Sequence, residues 1–338
     1  MIYQNIEFFN VAEINDGILY RFPKIVCENL GVPEYDAEGN YLGNYTGHLG
    51  SVRSTYGAEL RFRAKPPIRL VLETEFDDQV TVYNGDFLNR HFFCEPDKKN
   101  EFVINANPAT EGVKNKSANR FDKDLWRISI NGNGYIRFVS LEADDISLPK
   151  EGDAPKTRLL VYGSSISQGV GTPFPVLNYV NVGAQLLGID VLNKAVSGGC
   201  FCEEKMVEYL MSERFDAVYL EAGTNIADRP YEIIEERVGR LIDTVCAKNA
   251  DKNVFIMTPI RGLSDVSSST SDYRENFTKS RKVIEEHAKK FANTVLLDGH
   301  KLLNKDYYLA ADILHPSEFG HVMMGVNFAK MLGKYIKK

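Results

Sequence analysis

The stretch that decides the fold is Val161-Tyr162-Gly163-Ser164-Ser165-Ile166-Ser167-Gln168-Gly169, which follows the apolar pair Leu159-Leu160. The apolar run is typical of a buried parallel strand, and it ends abruptly in a turn of small residues. Sheets of α/β proteins bind ligands at the carboxyl ends of their strands, so a serine hydroxyl in such a turn is well placed to be a nucleophile. Taken alone, the stretch fits a plain β-to-α turn better, because Gly-Ser dipeptides are common in loops.

Two further apolar runs also end in small or polar residues. Ala217-Val218-Tyr219-Leu220 precedes Ala222-Gly223-Thr224-Asn225, and Val191-Leu192 precedes Asn193-Lys194-Ala195-Val196-Ser197-Gly198-Gly199. Asn225 is a polar side chain at the end of such a strand, and a glycine after the other strand lets a backbone N–H approach a substrate oxygen closely. Each also has a plainer explanation, since asparagine often caps a turn and paired glycines are common in loops.

A fourth stretch, Asp312-Ile313-Leu314-His315-Pro316, lies late in the chain. A carboxylate three residues before a histidine can fix the tautomer of the imidazole, and that histidine can then take a proton from a serine. A structural Asp–His pair is the plainer alternative. The four stretches together contain a candidate nucleophile, base, orienting carboxylate and oxyanion donors, and this combination favours catalysis.

The order and local sequence of these four stretches resemble the SGNH hydrolases, also called the GDSL esterase/lipase family. The resemblance covers roughly Thr157 to the C-terminus and implies no metal and no organic cofactor. It also implies the site residues: the nucleophile Ser165, the base His315 oriented by Asp312, and the oxyanion donors Gly198 and Asn225.

This chain departs from the family pattern at two places. The usual Gly-Asp-Ser is here Gly163-Ser164-Ser165, so the acidic residue is absent and two serines compete for the nucleophilic role. A Gly-Ser-Ser form of the motif favours Ser165 over Ser164. The usual Gly-x-Asn-Asp ends here in Ile226, which removes a local hydrogen bond but leaves the predicted role of Asn225.

The N-terminal half of the chain has a different pattern, in which apolar and polar residues alternate. Leu60-Arg61-Phe62 and Ile68-Arg69-Leu70 are examples, and short alternating strands at regular intervals predict an antiparallel β-sandwich over residues 1–148. Arg127–Ile130 and Ile136–Phe138 flank the glycine-rich Asn131–Gly134, which predicts a β-hairpin. The charged segment Asp144–Lys156, with two prolines, is the predicted linker.

After the linker, apolar strands alternate with amphipathic helices, which predicts a parallel sheet with helices on both faces over residues 157–338. The resemblance implies a flavodoxin-like three-layer SGNH domain. The predicted strands are near Leu159–Tyr162, Asp190–Asn193, Ala217–Glu221, Asn253–Thr258 and Thr294–Asp298. The predicted helices are near Val176–Leu187, Glu203–Ser212, Tyr231–Lys248, Tyr273–Ala292 and Glu318–Ile336.

Composition narrows the function classes. The chain has 338 residues, 43 % hydrophobic and 25 % charged, and a formal net charge of −6, so we expect a globular protein without a nucleic-acid partner. The start lacks a signal-peptide pattern, and no apolar run is long enough to cross a bilayer. Five cysteines without metal-site spacing predict reduced thiols in the cytoplasm. Two of them, Cys200 and Cys202, follow Gly198, and either is an alternative nucleophile.

A sandwich before an SGNH domain resembles several carbohydrate esterases. We therefore expect a serine esterase that hydrolyses short-chain, chiefly acetyl, esters of small molecules or oligosaccharides through an acyl-enzyme. Tyr83, Phe87 and Arg90 either line a sugar cleft or are core and rim residues of a loop. The alternative functions are a short-chain ester or thioester hydrolase, a lysophospholipid hydrolase, and a non-catalytic carbohydrate-binding protein. The oligomeric state is not predicted.

Overall fold

The polypeptide is divided between two units, which are described from a computed structural model covering residues 1–36, 38–46, 49–114, 120–267 and 271–336. The first unit contains Met1–Pro23 and Gly50–Lys156, and the second contains Lys24–Leu49 and Thr157–Lys338. The segment Lys24–Leu49 therefore packs with the C-terminal half of the chain, although it precedes the long antiparallel strands.

Antiparallel strands build the first unit, as the alternating pattern predicts. Numbered along the whole chain, they are β1 (Ile2–Tyr3), β2 (Ile6–Phe9), β3 (Glu13–Asn15), β4 (Ile18–Tyr20), β7 (Ala58–Thr74), β8 (Gln79–Asn84), β9 (Phe87–Phe93), β10 (Lys99–Ile104), β11 (Trp126–Asn131) and β12 (Ile136–Ser147). Their inward side chains form one apolar core, in which Phe8, Leu60 and Leu70 are fully buried. This arrangement is consistent with the predicted β-sandwich.

The long strand β7 belongs to two groups of strands. Its first part, Ala58–Phe62, pairs with β11. Its later part pairs with β10 over Ile68–Glu73 and with β12 from Arg63 to Thr74. Pro66 and Pro67, both described, have no partner in these registers, because proline has no N–H to donate to a ladder.

The hairpin predicted around Asn131–Gly134 is wrong. Both flanking strands form, but β11 pairs with β7 and β8, whereas β12 pairs with β4 and β7. Tight hairpin turns need glycines with positive φ, and neither Gly132 nor Gly134 has one. Gly132 instead provides close packing, because a Cβ there would collide with the Thr55 side chain. The segment Asn131–Gly134 thus connects β11 and β12, which lie on either side of β7.

The residues of the predicted sugar cleft differ in exposure. Tyr83 is 7 % exposed and the Arg127 guanidinium lies 5.4 Å from its ring centre, so Tyr83 is a core residue. Phe87 is 37 % exposed, at the start of β9. The alternative interpretation, core and rim residues of a loop, therefore applies to Tyr83.

A five-stranded parallel sheet is the centre of the second unit, and it confirms the predicted α/β fold. The strands of this unit are β5 (Val32–Tyr35), β6 (Tyr41–Tyr45), β13 (Arg158–Gly163), β14 (Asp190–Asn193), β15 (Ala217–Glu221), β16 (Val254–Met257) and β17 (Thr294–Leu297). The parallel strands are arranged in the order β14-β13-β15-β16-β17. This is the flavodoxin-like order, in which the direction of winding changes between β13 and β15.

Helices cover the parallel sheet. The α-helices within the described residues are α1 (Lys24–Cys27), α3 (Ser165–Gln168), α4 (Tyr179–Leu187), α5 (Glu204–Leu210), α6 (Tyr231–Ile234), α7 (Arg240–Lys248), α8 (Leu263–Val266), α9 (Ser271–Ala288), α10 (Gly299–Leu302) and α11 (Glu318–Leu332) in the second unit. One more, α2 (Leu49–Arg53), belongs almost wholly to the first unit. Leu159 and Val161 of β13 share a core with α4 and α11. The alternating Leu160 and Tyr162 are also fully buried, so the opposite face of β13 is covered as well.

The predicted helix Tyr231–Lys248 forms with one irregular turn. A π-helical segment, Glu235–Gly239, joins α6 to α7. Gly239 lies against the His287 ring, where a Cβ would collide with the imidazole. Among the helices within the described ranges, none combines the length and apolar character needed to cross a bilayer.

Candidate active site

The predicted nucleophile Ser165 is the first residue of α3, directly after the turn that ends β13. The Ser165 Oγ atom lies 2.8 Å from His315 Nε2. The neighbouring Ser164 is fully buried, and its hydroxyl caps α3 by accepting the Ile166 N–H at 3.3 Å. His315 thus meets Ser165, and Ser164 has a different set of partners.

His315 is held by the loop that begins at Asp312. The His315 Nδ1 atom lies 2.7 Å from Asp312 Oδ2, while Asp312 Oδ1 accepts the backbone N–H groups of Leu314 and His315 at 3.0 Å each. Ile313 has a φ of 54°, which turns the chain tightly enough for these bonds. The Asp-x-x-His spacing therefore brings carboxylate, imidazole and hydroxyl into one chain of hydrogen bonds.

The charge of Asp312 suits this position. Burial acts to raise its pKa, but the hydrogen bonds from His315 and Leu314 outweigh burial and leave the pKa below its usual value. An ionised Asp312 carboxylate can only accept hydrogen bonds. It therefore selects the tautomer in which His315 Nδ1 carries the hydrogen and Nε2 can accept one from Ser165.

The loop that contains Gly198 is joined to the same turn. The Val196 N–H donates to the Gly163 carbonyl at 2.9 Å, and the Ser197 N–H donates to Gln168 Oε1 at 2.6 Å. Gly198 has a φ of 64°, a conformation that glycine adopts without strain. Gln168 was not singled out from the sequence, because its partner is 29 residues away along the chain.

Asn225, at the end of the turn after β15, contacts the same loop. Its Oδ1 atom accepts the Cys200 N–H at 3.1 Å. With the amide oxygen engaged there, the Nδ2 group is the side that remains to donate. Ile226, which replaces the usual aspartate, is fully buried. The structure thus joins the loops of Gly198 and Asn225 to each other.

The model of the GDSL-like Lipase/Acylhydrolase family matches residues 161–323, a range that includes all of these groups. Residues 161–323 form a GDSL-like lipase/acylhydrolase domain. The predicted SGNH resemblance is therefore confirmed. Comparison with curated protein sequences finds no match.

Solved structures share the fold over nearly the whole chain at low identity. A salicylyl-acyltransferase from a tetracycline biosynthetic pathway has 16 % identity and a TM-score of 0.72, with 98 % of this chain and 96 % of that one covered. A family two carbohydrate esterase from Cellvibrio japonicus has 12 % identity and a TM-score of 0.62, with coverage of 98 % and 95 %. An acetyl xylan esterase from the rumen bacterium Butyrivibrio proteoclasticus has 12 % identity and a TM-score of 0.55, with coverage of 98 % and 96 %.

The GDSL-like domain contains a buried carboxylate that sequence reasoning missed. Glu221 ends β15, is 2 % exposed, and accepts hydrogen bonds from Ser164, Ser167 and Thr224. Burial raises the pKa of Glu221 above its ordinary value, although the bonds from Ser164 and Thr224 oppose the shift. The signal in the sequence was a glutamate at the end of an otherwise apolar strand.

The two cysteines beside the Gly198 loop are poor nucleophiles. Cys200 and Cys202 are both fully buried, and the Cys202 N–H is bound to the Tyr162 hydroxyl at 3.2 Å. Burial raises the pKa of the Cys200 thiol well above its ordinary value, which disfavours the reactive thiolate.

Two other histidines of the domain lie outside the hydrogen-bonded chain of Ser165. His300 pairs with Asp265 at 3.2 Å. His321 is fully buried: its Nδ1 accepts the Tyr179 N–H at 3.3 Å and its Nε2 donates to the Val170 carbonyl at 2.9 Å. Burial lowers the pKa of His321 to about 4.

The buried His321 predicts a pH-dependent loss of stability. Because its folded-state pKa lies below the ordinary 6.5, its contribution is complete above pH 6.5 and is lost as pH falls towards 4. We expect this histidine to cost the wild-type protein about 3 kcal/mol of unfolding free energy between pH 7.5 and pH 4. His321→Gln, whose amide does not titrate, should not show this part of the loss. Urea unfolding at both pH values measures the difference from wild type. Equal losses in the two proteins would contradict the prediction.

Proposed function

We propose that this protein is a serine esterase that hydrolyses short-chain esters, chiefly acetyl esters on carbohydrate, through an acyl-enzyme. The observation that carries the proposal is the unbroken chain of hydrogen bonds from Asp312 through His315 to Ser165. A hydroxyl, an imidazole and a carboxylate in this order are the parts that activate a serine. They lie in a domain whose family consists of lipases and acylhydrolases.

The first half of the mechanism forms the acyl-enzyme. His315 Nε2 takes the hydroxyl proton of Ser165 as its Oγ attacks the ester carbonyl, and Asp312 stabilises the imidazolium that results. The N–H groups of Ser165 and Gly198 and the Asn225 amide donate to the tetrahedral oxyanion. Loss of one such donor typically costs about 10²–10³ in turnover.

The second half releases the products. His315 gives its proton to the leaving alcohol, and the acyl group stays on Ser165. Water then attacks the acyl carbonyl while His315 removes its proton. As the second tetrahedral intermediate collapses, the C–O bond to Ser165 breaks and His315 returns the proton to Oγ, which releases the free acid. No step calls on a cofactor or a metal.

The β5–β6 hairpin supports a sugar as the alcohol part of the ester. The Tyr45 ring packs edge-on against Phe201 at 5.8 Å, beside Cys200 and hence beside the Asn225 contact. Arg229 stacks on Tyr45 at 5.3 Å and pairs with Glu34 at 3.3 Å. Aromatic rings next to a few fixed polar groups are typical of sites for polyhydroxylated ligands.

The same hairpin is open to a ligand. Tyr45 is 41 % exposed and lies on the same face of the hairpin as Gly43, whose register partner is Glu34. Tyr41 follows a register shift and pairs with Tyr35, so it lies on the other face. A Cβ at Gly43 would have no atom within 4 Å, so the space above it is free. In this proposal a sugar ring rests on Gly43 beside Tyr45, with Glu34 and Arg229 at its edge.

We expect acetyl esters to be hydrolysed with much higher kcat/KM than esters of eight or more carbons. Each buried methylene is worth about 0.8 kcal/mol, so an enzyme with a long acyl channel should improve steadily with chain length. An acetyl site has no such room. p-Nitrophenyl esters from acetate to octanoate measure the trend, and rising kcat/KM along the series would contradict the acetyl assignment.

The hairpin extends the same prediction to the alcohol side. Tyr45→Ala should raise KM for an acetylated xylo-oligosaccharide and leave p-nitrophenyl acetate nearly unchanged. Tyr335→Ala, another tyrosine of about 43 % exposure in the same unit, is the matched control. If Tyr45→Ala changed KM equally for both acetyl substrates, a role of the hairpin in sugar binding would be contradicted.

Acyl transfer is the second candidate function. The salicylyl-acyltransferase matches the chain from end to end at a TM-score of 0.72. An acyl-enzyme can be attacked by an alcohol in place of water with no change to the catalytic groups, and a thioester can equally be the acyl donor. Mass spectrometry of products formed with added alcohols distinguishes transfer from hydrolysis.

Three further assignments are inferences from the sequence. The domain boundaries 1–148 and 157–338 and the absence of a nucleic-acid partner rest on residue pattern and charge. A cytoplasmic location rests on cysteine usage. All five cysteines lie in described ranges, and none forms a disulfide.

A further inference from the structure

We propose that Glu221 is a positioning residue that holds the Ser164–Ser165 turn in its reactive shape. Its carboxylate comes from strand β15, not from the motif that contains the nucleophile. The proposal rests on the proposed function in that Ser165 is taken as the nucleophile. The usual Gly-Asp-Ser motif carries its carboxylate directly before the serine. In this chain that position is Ser164, and a carboxylate arrives there from the neighbouring strand.

The geometry places the carboxylate directly on the turn. Glu221 Oε2 accepts the Ser164 N–H at 2.8 Å and the Ser164 hydroxyl at 2.7 Å. The same oxygen accepts the Ser167 hydroxyl of α3 at 3.0 Å. A Cβ at Gly163 would lie 2.9 Å from Oε2, so the glycine leaves the room that the carboxylate occupies. One oxygen atom therefore contacts the residues on both sides of Ser165.

The hydrogen-bond directions fit an ionised carboxylate. Thr224 donates to Oε1 at 2.9 Å, which gives Glu221 four donors in total with the three bonds to Oε2. Ser167 is bound to the Tyr179 hydroxyl at 2.6 Å, and that hydroxyl to Tyr219 at 2.9 Å. Each hydroxyl of this series can donate towards Glu221 and accept from the next.

The strand order explains why the contact is possible. β13 and β15 are neighbours in the sheet, and Gly163 is paired with Glu221 in their register. Both strands end at the same edge, so the last side chain of β15 reaches the first turn after β13. Thr224 and Asn225 follow Glu221 in the same turn, so the carboxylate also connects the nucleophile turn to the loop of the proposed oxyanion donor.

A misplaced nucleophile costs rate more than binding. An error of about 1 Å in a reacting group can cost about 10² in rate. Loss of Glu221 removes the acceptor of the Ser164 N–H and of three hydroxyls, so the turn is free to reorganise around Ser165. We therefore expect Glu221→Ala to lower kcat for p-nitrophenyl acetate by about 10², with a much smaller change in KM.

The removed carboxylate can be supplied again from the motif position. Ser164 Oγ lies 2.7 Å from Glu221 Oε2, so an aspartate at position 164 would bring a carboxylate into the vacated space. The double variant Glu221→Ala/Ser164→Asp should recover at least about tenfold of the lost kcat, because the carboxylate can again accept from Ser167. This rescue separates positioning from a general loss of packing.

Two further variants define the role. Glu221→Gln keeps an oxygen that can accept from Ser164 and Ser167, with its NH2 group towards Thr224, so it should retain much more activity than Glu221→Ala. Asp190→Ala is the matched control, since Asp190 is 2 % exposed and lies at the opposite end of the same sheet. It should lower the melting temperature without lowering kcat.

The experiment measures kcat, KM, melting temperature and the rate of Ser165 labelling by a fluorophosphonate for each variant. The proposal is overturned if Glu221→Ala labels at the wild-type rate, or if the double variant recovers nothing while it is folded. If Glu221→Ala does not fold, Ser164→Ala, which removes one hydroxyl donor to Glu221 Oε2, provides the comparison, and wild-type kcat in that variant overturns the proposal. Wild-type protein that neither labels nor turns over any ester contradicts the proposed function instead.

Discussion

Replacing Ser165 by alanine should abolish ester hydrolysis and leave the fold intact. The change removes one hydroxyl whose partner is His315 Nε2, so little packing is lost. Loss of the serine in a hydrolytic triad costs about 10⁶ in kcat, because attack by water without a nucleophile must replace the covalent route. Hydrolysis of p-nitrophenyl acetate measures the loss, and far-UV circular dichroism reports the fold.

The site of covalent labelling tests the same assignment from the other direction. A fluorophosphonate should modify Ser165 in the wild-type protein, and peptide mapping by mass spectrometry locates the adduct. Ser164 and Cys200 are the internal controls, because both are fully buried. An adduct on either of them, with Ser165 unmodified, would refute the assignment.

The parallel sheet was predictable because each of its strands is apolar on both faces and ends in a polar or glycine-containing turn. β14 and β15 begin and end at the predicted residues, Asp190–Asn193 and Ala217–Glu221. Helix ends were less predictable: α9 ends at Ala288, four residues before the predicted Ala292. Packing and capping in the folded state decide such ends, and the periodicity of a single helix does not contain them.

Contacts between neighbouring strands of the sheet could not be predicted from the sequence. The bond between Glu221 and Ser164 joins residues 57 positions apart, and it depends on β13 lying beside β15 with β14 on its other side. Alternating strands and helices indicate a parallel sheet but do not give the order of its strands. The motif residues could therefore be found one at a time, whereas the carboxylate that contacts them could not.

Long-range pairing also explains the failed hairpin. The glycines of Asn131–Gly134 looked like tight-turn glycines, yet β11 and β12 pair with different parts of β7. β7 is 17 residues long, and its two parts offer both strands a partner. Turn composition describes only local preference, and the burial available along β7 outweighs it here. The assignment of Lys24–Leu49 to the second unit is a tertiary effect of the same kind.

Replacing His315 by alanine should reduce turnover almost as far as loss of the serine. Without the imidazole, Ser165 Oγ loses the base that lies 2.8 Å from it, and the hydroxyl alone is a weak nucleophile at neutral pH. Triad residues act as a unit, so the expected loss in kcat is again of the order of 10⁶. His321→Gln is the control, because His321 bonds to Tyr179 and Val170 and should keep wild-type kcat at pH 7.5.

Asp312→Asn separates the roles within the pair. The asparagine amide can still hold the His315 loop, but it no longer stabilises the imidazolium or enforces the tautomer that leaves Nε2 free to accept from Ser165. A loss of about 10⁴ in kcat is expected, smaller than that of His315→Ala because some imidazole still reaches the active tautomer. Wild-type turnover in His315→Ala would refute the base. A larger loss in Asp312→Asn than in His315→Ala would mean that the carboxylate acts on the reaction by another route.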